Sequence, residues 1–333
     1  MTVSMLSVAP EPYGSGAAPC TEADLTRLPP TLARPDPDPG VQFFLGTHQP
    51  GWLNHAGVPL FVSDRRLRTY KTLPRAAAPW AADSGGFTEL QKYGQWTVTS
   101  REYAARVRRY RDEIGGMCWA APQDWMCEPI IVNGGTVAGQ RFVGTHLSVP
   151  EHQRRTVLNY AQLCDLAPEI DWIPVVQGDT EQSYLRCVDL YQSLIGLDLT
   201  TAPLVGLGSV CRRQATKEAG QIITALHRHG VRRLHGFGFK TLGLVAYQHL
   251  LCSADSLAWS LDARLERAPL PICTRHKNCA NCLRYALRWR TKVLAAAASR
   301  PHQGDLFDYL PDPNADGDPD GCPPDRCRCE GAR

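Results

Sequence analysis

Eight short apolar runs alternate with amphipathic segments between residues 41 and 260, and this alternation limits the folds open to the chain. Strand and helix in repeated succession predict parallel strands joined by crossover helices. We therefore predict an α/β fold, a (β/α)8 TIM-type barrel, with an open doubly wound sheet as the alternative. The eight runs are VQFFLG (41–46), PLFVS (59–63), PWAAD (79–83), MCWAAPQD (117–124), DWIPVVQG (171–178), APLVGLGS (202–209), VRRLHGFG (231–238) and SADSLAWS (253–260).

Each of these runs ends in glycine or in a polar side chain, and six of the strand ends carry a carboxylate, an amide or two glycines. A turn with a capping aspartate explains one such end. Six in chain order favour a shared site, because the carboxyl ends of barrel strands form the rim where active sites lie. The six ends are Asp83-Ser84-Gly85-Gly86, Gln123-Asp124, Gln177-Gly178-Asp179, Gly206-Leu207-Gly208-Ser209, Gly236-Phe237-Gly238 and Asp255-Ser256.

Carboxylates and an amide in a glycine-walled pocket favour a flat, hydrogen-bonding ligand such as a nucleobase. A carboxylate can accept paired N–H bonds from the amidine-like edge of guanine, and Phe87, Trp125 or Phe237 can stack on its face. Two carboxylates can also break a glycosidic bond, one as nucleophile and one as proton shuttle. The sequence has no Walker-type loop and no convincing GxGxxG after a first strand, which argues against nucleoside-triphosphate and dinucleotide roles.

Basic residues are concentrated in the middle of the chain. Of 33 acidic and 36 basic residues, 20 and 31 fall within residues 41–304, so this region carries a net charge of about +11. Such a charge is typical of a protein that binds a polyanion and equally of a solvated basic surface. The same two interpretations apply to the helix predicted over residues 100–114, whose arginines are Arg101, Arg106, Arg108, Arg109 and Arg111.

The ordered strand-end motifs resemble those of the tRNA-guanine transglycosylase superfamily over roughly residues 41–300. Asp255 follows the last of them seventeen residues after its final glycine. Within the superfamily the chain is similar to the DpdA branch, which exchanges guanine in DNA for a 7-deazaguanine such as preQ0. GTHQPGWL (46–53), APQDW (121–125) and ADSLAW (254–259) carry that closer likeness. The motifs shared with the superfamily are Asp83-Ser84-Gly85-Gly86-Phe87, Val176-Gln177-Gly178, Gly206-Leu207-Gly208 and His235-Gly236-Phe237-Gly238.

The resemblance implies a double displacement, in which Asp255 attacks C1′ of the target guanosine and Asp83 acts as general acid and base. Asp124 and Gln177 would read the edge of the base. Arg264 would contact a nearby phosphate, or else is a surface helix arginine. The remaining base-binding residues would be Ser84, Gly85, Phe87, Gly206, Gly208, Gly236 and Phe237.

DNA is the favoured nucleic-acid partner, and a 7-deazaguanine base is the expected small-molecule substrate. The nearest rival is the same exchange on tRNA, although Ser256-Leu257-Ala258-Trp259 differs from what tRNA-acting sequences carry after the nucleophile. A metal-dependent hydrolase is an alternative that would require histidines at the strand ends, where this sequence has aspartates and glycines. A nucleic-acid-binding protein without catalysis is another alternative, but it would not need both Asp83 and Asp255. A partner protein that opens the duplex is also compatible with the modest basic charge.

Thirteen cysteines are present, and four metal-ligand residues follow one another at three-residue steps in CTRHKNCANC. Cys273, His276, Cys279 and Cys282 can close a tetrahedral structural zinc site, and the superfamily carries such a zinc just after its barrel. The family pattern also leaves His302 as an alternative to His276, and unligated core cysteines are the other possibility. Three further cysteines, which lack an obvious fourth ligand, lie in the tail: Cys322, Cys327 and Cys329.

These observations divide the chain into four parts. Residues 1–40 predict a flexible N-terminal arm, 41–268 the catalytic barrel, 269–304 a small C-terminal zinc-binding subdomain and 305–333 a disordered acidic tail. No apolar run approaches the roughly 20 residues of a membrane span, and the first residues lack the pattern of a secretion signal. We therefore expect a cytoplasmic protein with no membrane partner.

Overall fold

The computed structural model describes residues 41–137, 139–210, 216–239, 241–266, 268–274 and 276–298. Several sequence-based predictions fall outside these residues. They concern the N-terminal arm, the acidic tail with its three cysteines, and His302 as a metal ligand.

Eight parallel strands form one curled sheet in the order β4-β3-β2-β1-β10-β9-β8-β7. Strands that are adjacent in the sheet also follow one another along the chain, except that the first strand, β1, pairs with the last, β10. Each of the eight predicted runs overlaps one of these strands, so the α/β prediction is confirmed. The strands are β1 Gln42–Thr47, β2 Leu60–Ser63, β3 Trp80–Asp83, β4 Met117–Ala120, β7 Val175–Val176, β8 Val205–Leu207, β9 Leu234–Gly236 and β10 Ser253–Ser256.

β4 and β7 are the two edge strands of the sheet, and the end of β4 approaches the segment just before β7. Ala120, the last residue of β4, forms an isolated parallel bridge with Trp172. Its amide donates to the carbonyl of Asp171 at 2.9 Å, and its carbonyl accepts from the amide of Ile173 at 3.2 Å. These bonds join the two ends of the curled sheet at one point.

Helices follow most of the strands, as the alternating pattern predicts. Thr99 caps the helix predicted over residues 100–114 through a capping box with Glu102. No helix among the described residues is long and apolar enough to cross a membrane. The described helices are α1 Asp64–Leu67, α2 Gly86–Tyr93, α3 Ser100–Ile114, α4 Pro129–Asn133, α5 Val149–Leu166, α6 Glu181–Ile195, α7 Lys217–Arg228, α8 Thr241–Tyr247, α9 Ala258–Leu265 and α10 Leu283–Ala298, with two 3-10 helices at Pro50–Asn54 and Gln248–Leu250.

An antiparallel hairpin interrupts the crossover between β4 and α5. It consists of β5 Gly135–Val137 and β6 Gln140–Phe142 and is exposed along most of its length. The amide of Val143 donates to the carbonyl of Gln91 on α2 at 3.0 Å, which fixes the hairpin against that helix. The sequence pattern did not predict this element.

Both faces of the curled sheet are buried, which explains why its strands read as continuous apolar runs. Phe44 on β1 points to the inner face, where it joins a cluster with Phe61 and Trp119. Its neighbours Phe43 and Leu45 point outward, into the larger core beneath the helices. The inner cluster lies beneath the carboxyl ends of the strands, so the polar side chains at those ends pack on buried apolar residues.

Asp64 directly follows the carboxyl end of β2 and is a buried carboxylate. Asp64 on α1 is 3 % exposed and accepts two hydrogen bonds from the guanidinium of Arg106, both at 2.7 Å. The hydroxyl of Tyr110 donates a third at 2.8 Å. These bonds satisfy the buried charge and fix α3 against α1.

Candidate active site

A cavity of about 540 Å³ opens at the carboxyl ends of the strands, within the size range of small-molecule sites. It collects predicted site residues from strands that are far apart in sequence. Ser84, Gln177, Gly206, Gly236 and Arg264 do not line it. The predicted residues that do are Asp83, Gly85, Phe87, Asp124, Gly208, Phe237 and Asp255.

Asp83 is the last residue of β3, and the turn after it holds its carboxylate in place. The amide of Gly85 donates to Oδ1 at 3.0 Å. Burial raises the pKa of Asp83 to about 6, the Gly85 N–H opposes that rise, and the charge of Asp255 adds to it. A carboxyl group with a pKa near neutrality can both release and accept a proton.

The glycines after Asp83 are required by this turn. Gly85 has φ +79°, and a Cβ there would lie 2.7 Å from Cγ of Arg65 and 2.8 Å from Oγ of Ser63. A Cβ on Gly86 would lie 2.9 Å from the Trp96 ring. The close turn allows α2 to begin at the cavity wall, whereas Ser84 is buried beneath it with 3 % of its surface exposed.

Asp255 lies on β10, the strand between β1 and β9. Its side chain is 9 % exposed, and the amide of Gly238 donates to its Oδ1 at 2.9 Å. Nε2 of His235 lies 3.4 Å from the same oxygen. Both contacts are to Oδ1, and among the described residues Oδ2 accepts no hydrogen bond.

Asp124 lies four residues beyond the end of β4 and still reaches the cavity. Nε2 of Gln177 donates to its Oδ2, and Oε1 of Gln177 accepts from the hydroxyl of Ser209. The amide of Cys127 donates to the Ser209 oxygen at 2.7 Å. Burial raises the pKa of Asp124 to about 7, the charge of Asp83 adds to the rise, and the Gln177 hydrogen bond opposes it.

Gln177 is fully buried and supports Asp124 from below. The backbone carbonyl of Gln177 accepts a hydrogen bond from Nε2 of Gln153 at 2.7 Å. A Cβ on Gly208 would lie 2.3 Å from Nε2 of Gln177, so only glycine leaves room for that amide. Ser209 adopts φ +56°, a left-handed conformation that is uncommon for a residue with a side chain, and it fixes the orientation of the amide.

Gly206 and Gly236 have a different role from Gly208. A Cβ on Gly206 would lie 2.5 Å from Cε2 of Phe237, and one on Gly236 would lie 2.5 Å from Cδ2 of Phe239. These two glycines make space for aromatic rings. The Phe237 ring lines the cavity, with its centroid 6.0 Å from that of Phe61.

Two other aromatic residues were predicted as stacking partners for a base. Phe87 lines the cavity, with its ring centroid 5.9 Å from that of Phe142 on the hairpin. Trp125 instead faces away from the cavity. Its ring lies 5.5 Å from that of His152 and 4.6 Å from the guanidinium carbon of Arg155.

Basic side chains also line the cavity, and sequence reasoning missed them. Arg65 and Arg66 on α1 and Lys92 on α2 belong to its wall, with Arg65 paired to Glu89. The DRR that follows the second apolar run was the signal that could have found the two arginines. Arg264 is exposed on α9, where it donates to the hydroxyl of Ser260 at 3.1 Å on the same helix.

The four residues predicted as metal ligands converge. One ligand atom from each of Cys273, His276, Cys279 and Cys282 lies within 4.8 Å of the other three. The Cys273 and Cys282 sulfurs are 3.7 Å apart, and Nε2 of His276 is 3.3 Å from the Cys279 sulfur. A tetrahedral zinc with ordinary bond lengths requires edges of about 3.8 Å between sulfurs and about 3.6 Å between nitrogen and sulfur, so the cluster fits a metal ion.

The surroundings of this cluster also suit thiolate ligands. The amide of Leu270 donates to the Cys279 sulfur at 3.3 Å. Helix α10 begins at Leu283, directly after Cys282, and the positive end of a helix dipole favours a thiolate. The metal-binding segment is fixed to the helix after Asp255 because the hydroxyl of Ser260 donates to the carbonyl of Ala280 at 2.9 Å.

The curled parallel sheet thus brings Asp83 and Asp255 into one cavity at its carboxyl edge, and the family match identifies the class as transglycosylase-like enzymes. The model of the DpdA family, described as DeoxyPurine in DNA protein A, matches residues 40–330, and the chain therefore belongs to that family. The match confirms the resemblance of its motifs to the DpdA branch, and the family implies a role in modifying DNA with 7-deazaguanine. No curated protein gives a significant match to the chain.

Proposed function

We propose that the chain replaces guanine in DNA by a 7-deazaguanine base, similar to preQ0, through a covalent intermediate on Asp255. The observation that carries this proposal is the meeting of Asp83 and Asp255 in one cavity, where burial and, to a smaller extent, the charge of Asp255 raise the pKa of Asp83. A nucleophile and a proton shuttle are the two groups that glycosidic exchange requires.

The fold proposed for this activity is a closed (β/α)8 barrel over residues 41–268. It is supported by the eight-strand order and by the bridge between Ala120 and Trp172, which joins the two outer strands. In such a barrel all eight strands direct their carboxyl ends to one rim.

In the first displacement Oδ2 of Asp255 attacks C1′ of the target nucleotide. The C1′–N9 bond breaks, its electron pair moves onto guanine, and the proton of Asp83 neutralises the departing base. The pKa of about 6 keeps a useful fraction of Asp83 protonated near neutral pH. The product is a glycosyl ester of Asp255 and a free guanine.

In the second displacement the incoming deazaguanine gives its N9 proton to Asp83 and attacks C1′. The bond from C1′ to Oδ2 breaks, and its electron pair returns to the Asp255 carboxylate. Two inversions give retention at C1′. One glycosidic bond replaces another, so the exchange needs no nucleoside triphosphate.

Recognition of the base is assigned to Asp124 and to its hydrogen-bond partner Gln177. Oδ2 of Asp124 is occupied by Gln177, which leaves Oδ1 to accept N–H groups from the guanine edge. Phe87 and Phe237 line the same cavity and offer faces for stacking. The target base must leave its duplex to enter this cavity, and a partner protein that opens the duplex is compatible with that requirement.

Basic residues at the cavity favour a nucleic-acid substrate. Arg65, Arg66 and Lys92 line the cavity and would contact phosphates that flank an extruded base. Family membership favours DNA, and exchange on tRNA is the alternative. Arg264 stays a proposed phosphate contact, on the helix that follows the nucleophile.

The metal proposed for the C-terminal subdomain, residues 269–304, is structural zinc. Cys273, His276, Cys279 and Cys282 would hold it, and four protein ligands leave no open position for substrate. Its contribution would be to fix the segment that packs on α9.

The test is exchange of labelled guanine in duplex DNA and in tRNA by the wild type, Asp255→Asn and Asp83→Asn. We expect exchange in DNA that both substitutions abolish. Asp189→Asn, on the exposed face of α6, is the matched control and should keep wild-type activity. Exchange in tRNA alone would establish the alternative substrate. The proposal would be refuted if the wild type exchanged no base in either substrate and also formed no trapped adduct on single-stranded DNA.

A further inference from the structure

His235 on β9 is fully buried within the curled sheet, where histidine is an unusual residue. Its ring centroid lies 4.6 Å from that of Trp119 and 4.8 Å from that of Phe237. Phe61 and Phe44 contact it at 5.9 and 6.1 Å. These rings hold the imidazole in one orientation and exclude water from it.

The two ring nitrogens of His235 have different surroundings. Nδ1 lies 2.8 Å from the hydroxyl of Ser253, its register partner on β10. Nε2 has no hydrogen-bond partner among the described residues, and it lies 3.4 Å from Oδ1 of Asp255. A movement of about half an ångström would bring that pair to ordinary hydrogen-bond length.

The contact with Asp255 selects one tautomer of the imidazole. If Nδ1 carried the proton, the lone pair of Nε2 would face a carboxylate oxygen, and the two would repel each other. With the proton on Nε2, the Ser253 hydroxyl donates to Nδ1 and the ring presents an N–H to Asp255. Catalytic hydrogen bonds that are long in a free enzyme commonly shorten in the substrate complex.

We propose that His235 is a positioning residue for the nucleophile, donating from Nε2 to Oδ1 of Asp255 and leaving Oδ2 to attack C1′. This inference rests on the proposed function. The Gly238 amide already donates to Oδ1, so the two donors together fix which oxygen is nucleophilic. His235 touches neither the substrate nor the reacting atoms in this scheme.

The effect of this donor differs between the two displacements. During the second, the bond from C1′ to Oδ2 breaks and negative charge returns to the Asp255 carboxylate, so a donor to Oδ1 stabilises the leaving group. During the first, the carboxylate loses its charge, and the donor mainly orients it. Loss of His235 should therefore slow the second displacement more than the first, and the glycosyl ester should accumulate.

The experiment compares wild type, His235→Phe and His235→Gln in exchange on DNA and in the amount of trapped Asp255–DNA adduct. Phenylalanine fills the aromatic site without a donor, whereas the glutamine amide can donate from a position close to that of Nε2. We expect His235→Phe to lose roughly 10- to 100-fold in exchange, the range for one hydrogen bond to a charged group, with more adduct than wild type. His235→Gln should recover part of the rate.

Two results would overturn the inference. One is His235→Phe exchanging at the wild-type rate. The other is loss of adduct and exchange together, with a lowered melting temperature and no rescue by His235→Gln, since this indicates a purely structural role.

The ¹⁵N spectrum of histidine-labelled protein provides a readout independent of activity. We expect the His235 signal, assigned by its absence in His235→Phe, to show a proton on Nε2 and to shift in Asp255→Asn. A proton on Nδ1 would refute the hydrogen bond. If the wild type neither exchanges base nor forms an adduct, the proposed function fails, and this spectrum still decides whether His235 donates to Asp255.

Discussion

Replacing Asp124 by asparagine should remove a loss of stability that the wild type undergoes as pH rises, and it should impair the proposed base exchange. Burial raises the pKa of Asp124 to about 7 in the folded protein, against 3.8 for an aspartate that is fully solvated. The folded state therefore binds this proton more tightly than the unfolded state does, and stability falls as pH rises through this interval. Asparagine cannot ionise and removes the dependence, while its side-chain oxygen can still accept from Gln177.

The size of the effect follows from the difference between the two pKa values. About three units, at about 1.36 kcal/mol each, amount to roughly 4 kcal/mol. The free energy of unfolding of Asp124→Asn, relative to wild type, should rise by about this amount between about pH 4 and about pH 8. Only this pH-dependent part is predicted, because changes in packing add a constant.

The assay is urea unfolding followed by tryptophan fluorescence across that pH range. Asp198→Asn is the control without a pH-dependent effect. The hydrogen bonds of its exposed carboxylate to Thr200 hold the pKa of Asp198 below its usual range, so the group is ionised in the folded and the unfolded state over most of this interval, and its substitution should change stability by a nearly constant amount. A difference between Asp124→Asn and wild type that does not change with pH would refute the reasoning and show that Asp124 is solvated in the folded state.

Three further substitutions test the packing of the site and its supports. Gly208→Ala places a Cβ 2.3 Å from Nε2 of Gln177 and should reduce exchange by about 100-fold in steady-state assays. Cys279→Ser should lower both the zinc content of the purified protein, measured by atomic absorption, and its melting temperature. Arg106→Met removes two hydrogen bonds from buried Asp64 and should lower the free energy of unfolding by about 2–3 kcal/mol in urea.

Each of these substitutions has a matched control. Gly51→Ala adds a methyl group where nothing lies within 4 Å, Cys252→Ser changes a thiol outside the metal cluster, and Arg101→Met removes an exposed arginine of the same helix as Arg106. The packing argument is wrong if Gly208→Ala behaves like Gly51→Ala. Zinc content equal in Cys279→Ser and Cys252→Ser would argue against the ligand set, and equal losses from the two arginines would show that Asp64 needs no partner.

The sequence alone predicts the parallel sheet because its strands are buried on both faces and read as unbroken apolar runs. It does not predict the hairpin over Gly135–Phe142, whose short polar strands have no burial pattern. That hairpin depends on contacts such as the bond from Val143 to Gln91, more than 50 residues away along the chain. Tertiary contacts of this kind have no local signal.

The sequence predicts the site residues that lie at the ends of strands. It does not predict the roles that arise from contacts between side chains on two paired strands. Asp83 and Asp255 are strand-end residues, and the rim rule locates both. Ser209 matters through Gln177, 32 residues away, and His235 through Ser253, 18 residues away. Sheet register creates both pairs, and it cannot be read from one sequence without knowing which strands pair.

The pairing of β1 with β10 has a consequence for synthesis on the ribosome. Phe44 pairs in register with Asp255, so one edge of β1 stays without its native partner until more than 200 further residues have been made. At about 5–20 residues per second, that edge remains open for roughly 10 to 40 s. An open edge strand is a template for aggregation, and a chain that terminates early retains that edge and lacks the proposed nucleophile. The strand that pairs with this edge of β1 is therefore the same strand that carries Asp255.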